Sequence, residues 1–508
     1  MTASKPKRPD AAALLLALLC SIPSFFDLSF FASGIGIALL VLLPAMVFSI
    51  AQRRFIVDDP IPLIGVVWIV GVTLPALFPD RYLDRLWTTL PIWSIEQAAL
   101  WMYRAWAATT VTYWLVRMFQ GRQNDAEQKP DGSGLLAQTR MRRLIGLVGA
   151  SGCAASMIYT KAGAYTFVEI DVADSSLLQV INLLASVSVI YVYLYFYARG
   201  RETLGRLDHY ILYANLTIQT LIFITAGSKA VAISLAAAWA LGSSTGARRI
   251  GLLREIAIAV VSVTAIIVIS YVVTAYREEV RMRGVPENAG VVASISFQVD
   301  AMGASINDLL AGKELGDPNN PYGANAMLDR FAASVNFAQV LYFANGEPPY
   351  ENPWASLATP VLALTPRSVI DTKVHFVNSG DFARMNGWSF GGLSLTVPGS
   401  LFWAWGYIGI VAAMSAMGFG LAVLAKRAES YTEVGIIYRS VLISLVISML
   451  NIGIEFQPIM ATTTRLFLLL ILIRLATYSL TNVFGTDDRK PRRPAAAMLH
   501  FPNRIAER

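Results

Sequence analysis

The chain is poor in the residues that staple or ligate. Its two cysteines, Cys20 and Cys153, both lie in apolar runs, which excludes a disulfide framework and leaves them as small core residues. Charged residues make up 15% of the 508, against roughly 25% in a soluble chain. Together with 55% hydrophobic residues and a mean hydropathy of +0.52, that shortage excludes an ordinary soluble domain. No Asp-x-Asp occurs anywhere, so the commonest paired-carboxylate site for a divalent ion is missing. Its nearest substitute, Glu169-Ile-Asp171 with Asp174, reads as a solvated loop. Neither a metal nor any other cofactor is expected. The two halves show no internal repeat, which argues against a transporter built from repeats. No small-residue cleavage site precedes the second apolar run, so the run beginning at Asp10 reads as a membrane helix rather than a cleaved signal.

What the chain has instead is apolar runs of about 20 residues, the length needed to cross roughly 30 Å of hydrocarbon. About twelve are expected, centred on Leu16, Ala38, Val67, Thr109, Ala150, Ser186, Ile218, Leu235, Val263, Ala412, Ser444 and Leu470. The fold class is therefore an all-α polytopic membrane protein. Residues 1–275 form the first nine helices, 276–398 an extracytoplasmic insert, 399–484 the last three helices and 485–508 a basic tail. Lys5, Lys7 and Arg8 precede the first helix. Alternate loops then carry Arg53-Arg54, Arg117 to Arg143, Arg199 to Arg206, Arg248-Arg249 and Lys426-Arg427, and the tail holds Arg489, Lys490, Arg492 and Arg493. Cations stay on the inner side during insertion, so both termini are expected in the cytoplasm and the insert outside. The net charge of +7 is mostly this rim facing anionic headgroups, and nothing in it points to nucleic acid. Tyr191, Tyr193, Tyr195 and Tyr197 read as an interfacial aromatic belt. The polar stretch from Gln120 to Arg140 reads as a solvated loop.

Chemistry is expected on the outer side. Arg104 lies about two turns inside the fourth run, where a bare cation is costly, so it should pair with Glu96 on its own helix or line a wet cavity. Thr225-Ala-Gly-Ser-Lys-Ala230 forms a tight turn that puts Lys229 at the start of a helix, where free N–H groups and the dipole attract anions. Arg465 follows Ala461-Thr-Thr-Thr464 near the outer end of the last helix, and Glu455 closes the preceding one. In the insert, Met327, Phe331, Val335, Ala338 and Tyr342 share one face of a helix expected from Asn325 to about Asn345. Its amphipathic face suggests that it lies on the bilayer or on the bundle. Arg330 sits in its second turn, and Asn345-Gly346 supplies its stop. Thr365-Pro-Arg367 and the segment from His375 through Asp381 to Trp388 then lead back to the membrane as loops, which commonly carry sites.

At these residues the chain resembles the Wzy-type polymerases of bacterial O-antigen and exopolysaccharide repeat units, which are kin of the O-antigen ligases. Arg330 and Gly346 match that family's spacing of Arg, fifteen residues, Gly. Gly227-Ser-Lys229 resembles its Ser-Arg/Lys turn before a helix, with Lys where the ligases place Arg, and Thr396 to Gly409 resembles its return helix with a late glycine pair. The resemblance implies a multi-pass protein of the bacterial inner membrane that transfers a growing glycan from undecaprenyl pyrophosphate to another lipid-linked repeat unit, alongside a flippase and a chain-length regulator. It implies that Lys229 and Arg330 hold the pyrophosphate with Arg367, Arg465 and Arg104 in support, and that His375, Asp381 or Glu455 acts as base. An O-antigen ligase, or a flippase or other transporter of lipid-linked oligosaccharides, is the alternative.

The topology has a direct check. In a chain carrying Cys20→Ala and Cys153→Ala, Asn319→Cys is expected to react with an impermeant thiol reagent on intact cells, and Ala496→Cys only after lysis. The opposite pattern overturns the assignment.

Overall fold

The computed structural model describes residues 9–52, 59–77, 90–120, 132–159, 175–201, 204–226, 229–246, 291–311, 333–344, 395–430, 432–450 and 455–484, with single residues between 261 and 283 and between 358 and 364. Helices are the only regular elements among them. They are α1 (Pro9–Ser21), continued by a 3-10 turn (Ile22–Phe25), α2 (Phe30–Gln52), α3 (Pro60–Leu77), α4 (Ile92–Gln120), α5 (Gly132–Tyr159), α6 (Ser175–Arg199), α7 (Arg206–Ala226), α8 (Lys229–Gly246), α9 (Val291–Leu310), α10 (Ala333–Phe343), α11 (Thr396–Ala428), α12 (Glu433–Met449) and α13 (Phe456–Phe484). Every expected centre except Val263 falls inside one of them. By length and composition, four described stretches can cross a membrane: Phe30–Ala51, Val180–Arg199, Thr396–Ala428 and Phe456–Ser479. Shorter apolar helices cover Pro9–Phe25, Pro60–Thr73 and Val231–Thr245.

Local chemistry explains the helix starts. Asp59 caps α3 by accepting the Ile61 amide at 3.0 Å, and Pro60 follows at the first helical position, where its missing N–H costs nothing. Thr432 caps α12 by accepting the Gly435 amide. At α7, Asp208 reaches back to accept the Gly205 amide at 3.2 Å. Helix α5 starts at Gly132, eight residues before the expected end of the Gln120–Arg140 loop, because Leu135, Leu136 and Ala137 continue the helical pattern toward Met141 and Ile145.

Two groups of helices emerge. Helices α1 to α4 pack with α10 and α11, α5 to α8 pack with one another with α9 against α7, and α12 and α13 touch members of both groups. Small residues permit the closest approaches, as membrane helices require. A Cβ on Gly418 of α11 would stand 2.2 Å from the Thr109 carbonyl of α4, and one on Gly149 of α5 would stand 2.6 Å from the Ser188 backbone of α6. Thr109 adds a hydrogen bond across the first of these contacts, its hydroxyl donating to the Met414 carbonyl at 3.1 Å.

Charges collect at one end of the bundle. Arg117, near the end of α4, lies 3.8 Å from Asp10, 3.9 Å from Asp59 and 3.7 Å from Glu429, and Lys426 meets Glu429 at 3.5 Å. Tyr113 donates to Asp59 at 3.1 Å. Burial pushes the Asp59 carboxyl up, opposed by Arg117, the Ile61 amide and the Tyr113 hydroxyl. Asp208, almost wholly buried, accepts from Arg143 at 2.8 Å and Arg142 at 3.3 Å. Arg439 of α12 donates to the Ala428 carbonyl of α11 and stacks on Tyr197 of α6 at 4.0 Å, which joins α11 to α6. Arg201 donates to the Thr245 carbonyl, and Arg474 donates to Glu433. The starts of α1, α3, α7 and α12 and the ends of α4, α6, α8, α11 and α13 thus share one end. These are among the ends that the loop charges assign to a common side.

The tyrosines of α6 do not form a belt. Tyr191, Tyr193 and Tyr195 are buried, with Tyr191 donating to the Asp208 carbonyl at 2.8 Å and Tyr193 paired with Thr245. Helix α6 is surrounded by α5, α7, α8, α12 and α13, so its aromatic positions meet protein on several sides.

Replacing Asp208 with Ala leaves Arg142 and Arg143 without their shared carboxylate. The expected loss is about 3 to 5 kcal/mol, the cost of removing one partner of a buried pair. A lowered thermal midpoint of the purified protein in detergent checks it, and an unchanged midpoint contradicts it.

Candidate functional site

The end opposite the charge clusters gathers the turn after α1, the starts of α4, α8 and α13, and the first segment of α11. Helix α11 is 33 residues long, about 50 Å at 1.5 Å per residue, and is broken at Gly406, whose φ of 67° and ψ of −161° lie outside the helical region. That region is open essentially to glycine alone. Gly409, one turn on, has no room for a Cβ, which would stand 2.2 Å from the Trp405 side chain. These are the two glycines on which the resemblance to a return helix rests, and the geometry gives each a separate reason. The helix opens on Thr396, fully buried and also at positive φ.

The break carries aromatic rings to both sides. Tyr407, the first residue past it, stacks on Trp101 of α4 with ring centroids 4.1 Å apart, and lies 4.9 Å from Phe402. On Trp101 rests the Arg104 guanidinium, 4.6 Å from the ring. Arg104 Nε donates to the Ser24 carbonyl at 2.9 Å, and Tyr103 donates to the Cys20 carbonyl, so both tie α4 to the end of α1. No ion pair with Glu96 forms among the described residues. Arg104 turns instead to the neighbouring helix, whose backbone reaches it and leaves Glu96 unused.

Glu455 is buried and lies immediately before α13. The expectation that it closes the preceding helix is corrected, since α12 ends at Met449. The placement suits a carboxylate, because the free N–H groups of a helix start favour negative charge. The next residue, Phe456, donates its amide to Ser400 Oγ at 3.0 Å and faces Trp405 at 6.4 Å. Arg104 and Glu455 therefore both border the broken segment of α11. Half-buried Arg465 lies ten residues after Glu455, about 15 Å along α13. Lys229 is the first residue of α8, as expected, but α8 packs on α6 and α7, whereas α11 packs on α4. Arg330, Arg367, His375 and Asp381 lie outside the described residues.

Of the helix expected from Asn325 to Asn345, the described part is α10, and it is enclosed. Eight of its eleven residues are buried, Ser334 donates to the Gly71 carbonyl of α3 at 3.2 Å, and Phe337 faces Phe402 at 6.2 Å. Helices α3, α4 and α11 cover it on several sides.

No group of three or more His, Cys, Asp and Glu side chains that could hold a metal occurs among the described residues. Against known protein families, curated proteins and solved structures, the chain has no match. Sequence reasoning missed Trp101, Tyr407 and the role of Gly406. The available signal was the run Trp403-Ala-Trp-Gly-Tyr407, a glycine set among rings inside an apolar helix.

Gly406→Ala is expected to cost about 1 to 3 kcal/mol, since alanine is strained at that φ and ψ. A drop in thermal midpoint checks this, together with altered near-ultraviolet circular dichroism from Trp101 and Tyr407. A variant equal to wild type in both would mean that α11 is unbroken.

Proposed function

We propose that the chain is a membrane glycosyltransferase that joins oligosaccharide repeat units carried on undecaprenyl pyrophosphate, at the outer face of a bacterial inner membrane. The observation that carries the reading is Arg104 and Glu455 held beside a broken, ring-lined helix at the end of the bundle away from its charge clusters. The turn that starts α8 at Lys229, and the spacing of Arg330 and Gly346, add to it. In the reaction, a hydroxyl of the acceptor sugar attacks the anomeric carbon of the donor glycan while the lipid pyrophosphate leaves with its electron pair. Lys229 and Arg330 stabilise the charge developing on the pyrophosphate, Arg367 and Arg465 support them, and His375 takes the hydroxyl proton, with Asp381 or Glu455 in that role otherwise. Fixed cations serve the departure without a metal, so turnover persists in a chelator. In a deletion strain, single repeat units on the lipid A core support this polymerase reading. Unligated polymer there supports a ligase, and normal glycans refute both.

Lys229→Ala and Arg330→Ala are each expected to lower polymer formation on the order of a hundredfold or more, since a charge-assisted contact to the leaving group contributes about 2.7 to 4 kcal/mol in the transition state. If both residues touch one pyrophosphate, the double variant loses less than the product of the single losses. Normal polymer length in either single variant at wild-type protein level defeats the assignment.

A further inference from the structure

Among the described residues, Arg104 is anchored without being neutralised. A guanidinium has five N–H donors in one plane. Nε uses one of them on the Ser24 carbonyl, and Trp101 covers a face of the group. The terminal amino groups have no acceptor among the described residues, and the side chain is half-buried rather than sealed. Such a fork, held from behind, matches two oxygens of a tetrahedral oxyanion. Leaving it without one inside an apolar bundle is costly.

The surroundings say what carries the anion. Ser24 belongs to the 3-10 turn that continues α1, and along α1 and this turn Leu15, Leu18, Leu19, Ile22 and Phe25 are all exposed. Together they make an apolar strip that ends one residue from the carbonyl holding Arg104. Exposed apolar surface of this length belongs against lipid chains. A cation at the end of an apolar strip has the outline of an amphiphile with a phosphate at its head.

We infer that Arg104 and the α1 corner form a binding site for a phosphate-bearing membrane lipid, its phosphate on the Arg104 fork and its chain along the α1 strip. The site depends on the bundle standing in a membrane and not on the transferase reading. Occupied by a polyprenyl pyrophosphate it belongs to the substrate path; occupied by a glycerophospholipid it anchors the α1–α4 corner.

The test is equilibrium binding of two radiolabelled lipids, undecaprenyl pyrophosphate and phosphatidylglycerol, to the purified full chain in mixed micelles, with undecaprenol as a competitor that has no phosphate. Arg104→Ala is expected to weaken at least one of the two lipids by about tenfold, the loss of a bidentate charged contact. Arg104→Lys is expected to weaken it less, because a point charge replaces a fork, and undecaprenol is expected to compete poorly. Loss confined to undecaprenyl pyrophosphate identifies a substrate, and loss confined to phosphatidylglycerol identifies a structural lipid. Wild-type affinity for both lipids in Arg104→Ala overturns the site. If that variant does not purify as a monodisperse protein, wild-type affinity in Arg104→Lys overturns it equally. Because the readout is binding, it stands or falls separately from the glycan phenotype of a deletion strain.

Discussion

The buried guanidinium of Arg117 is the contact on which the register of the first group of helices depends. Three carboxylates from three segments, Asp10, Asp59 and Glu429, surround it within 4 Å, and Phe48 of α2 lies under it at 4.7 Å. A charge taken out of water is tolerated only when its partners come with it. The starts of α1 and α3 and the ends of α4 and α11 must therefore meet at one level, and a slide of α11 by one turn would carry Glu429 about 5.4 Å away. Asp208 with Arg142 and Arg143 does the same for α5 and α7, and Arg439 ties the end of α11 to α6.

With one end fixed in this way, the other can afford irregular backbone. Helix α11 is held against α4 by the close approach at Gly418 and the Thr109 bond, and only past that region does it break at Gly406. The break hands Tyr407 to Trp101, and Trp101 in turn supports Arg104. Buried α10 packs against the segment of α11 before the break through Phe337 and Phe402. Among the described residues, the break at Gly406 and the guanidinium of Arg104, which meets no carboxylate, thus lie together, and the paired charges of Arg117 and Asp208 lie toward the far end. In membrane proteins, interrupted helices persist where they line a protein-enclosed site rather than face lipid.

This division gives the glycosyl-transfer reading its physical content. A leaving pyrophosphate needs fixed positive charge, and an apolar bundle holds such charge only where backbone carbonyls and aromatic faces stand in for counter-ions. Arg104 meets both conditions. Glu455 lies immediately before α13, next to Phe456, whose amide donates to Ser400 of the same broken segment.

Run lengths, turn residues and the distribution of Lys and Arg in the sequence by themselves determined that the chain is helical and apolar, where most of the described helices lie, that Lys229 begins one, and which helix ends meet at one end of the bundle. Those properties are local, or sum over short loops. Only the tertiary structure decided what each interior side chain faces. The α6 tyrosines are packed against neighbouring helices rather than lipid, because an apolar environment made of protein and one made of lipid leave the same periodicity in a sequence. Arg104 takes a carbonyl eighty residues away instead of the acid two turns along its own helix, because packing α1 against α4 brings the Ser24 backbone within 2.9 Å. Gly406 breaks α11 where Gly418 merely permits contact, since a glycine states that freedom or space is needed and not which of the two. The depth of α10 followed the same rule: its amphipathic pattern allowed a surface position, and α3, α4 and α11 closing around it made it core.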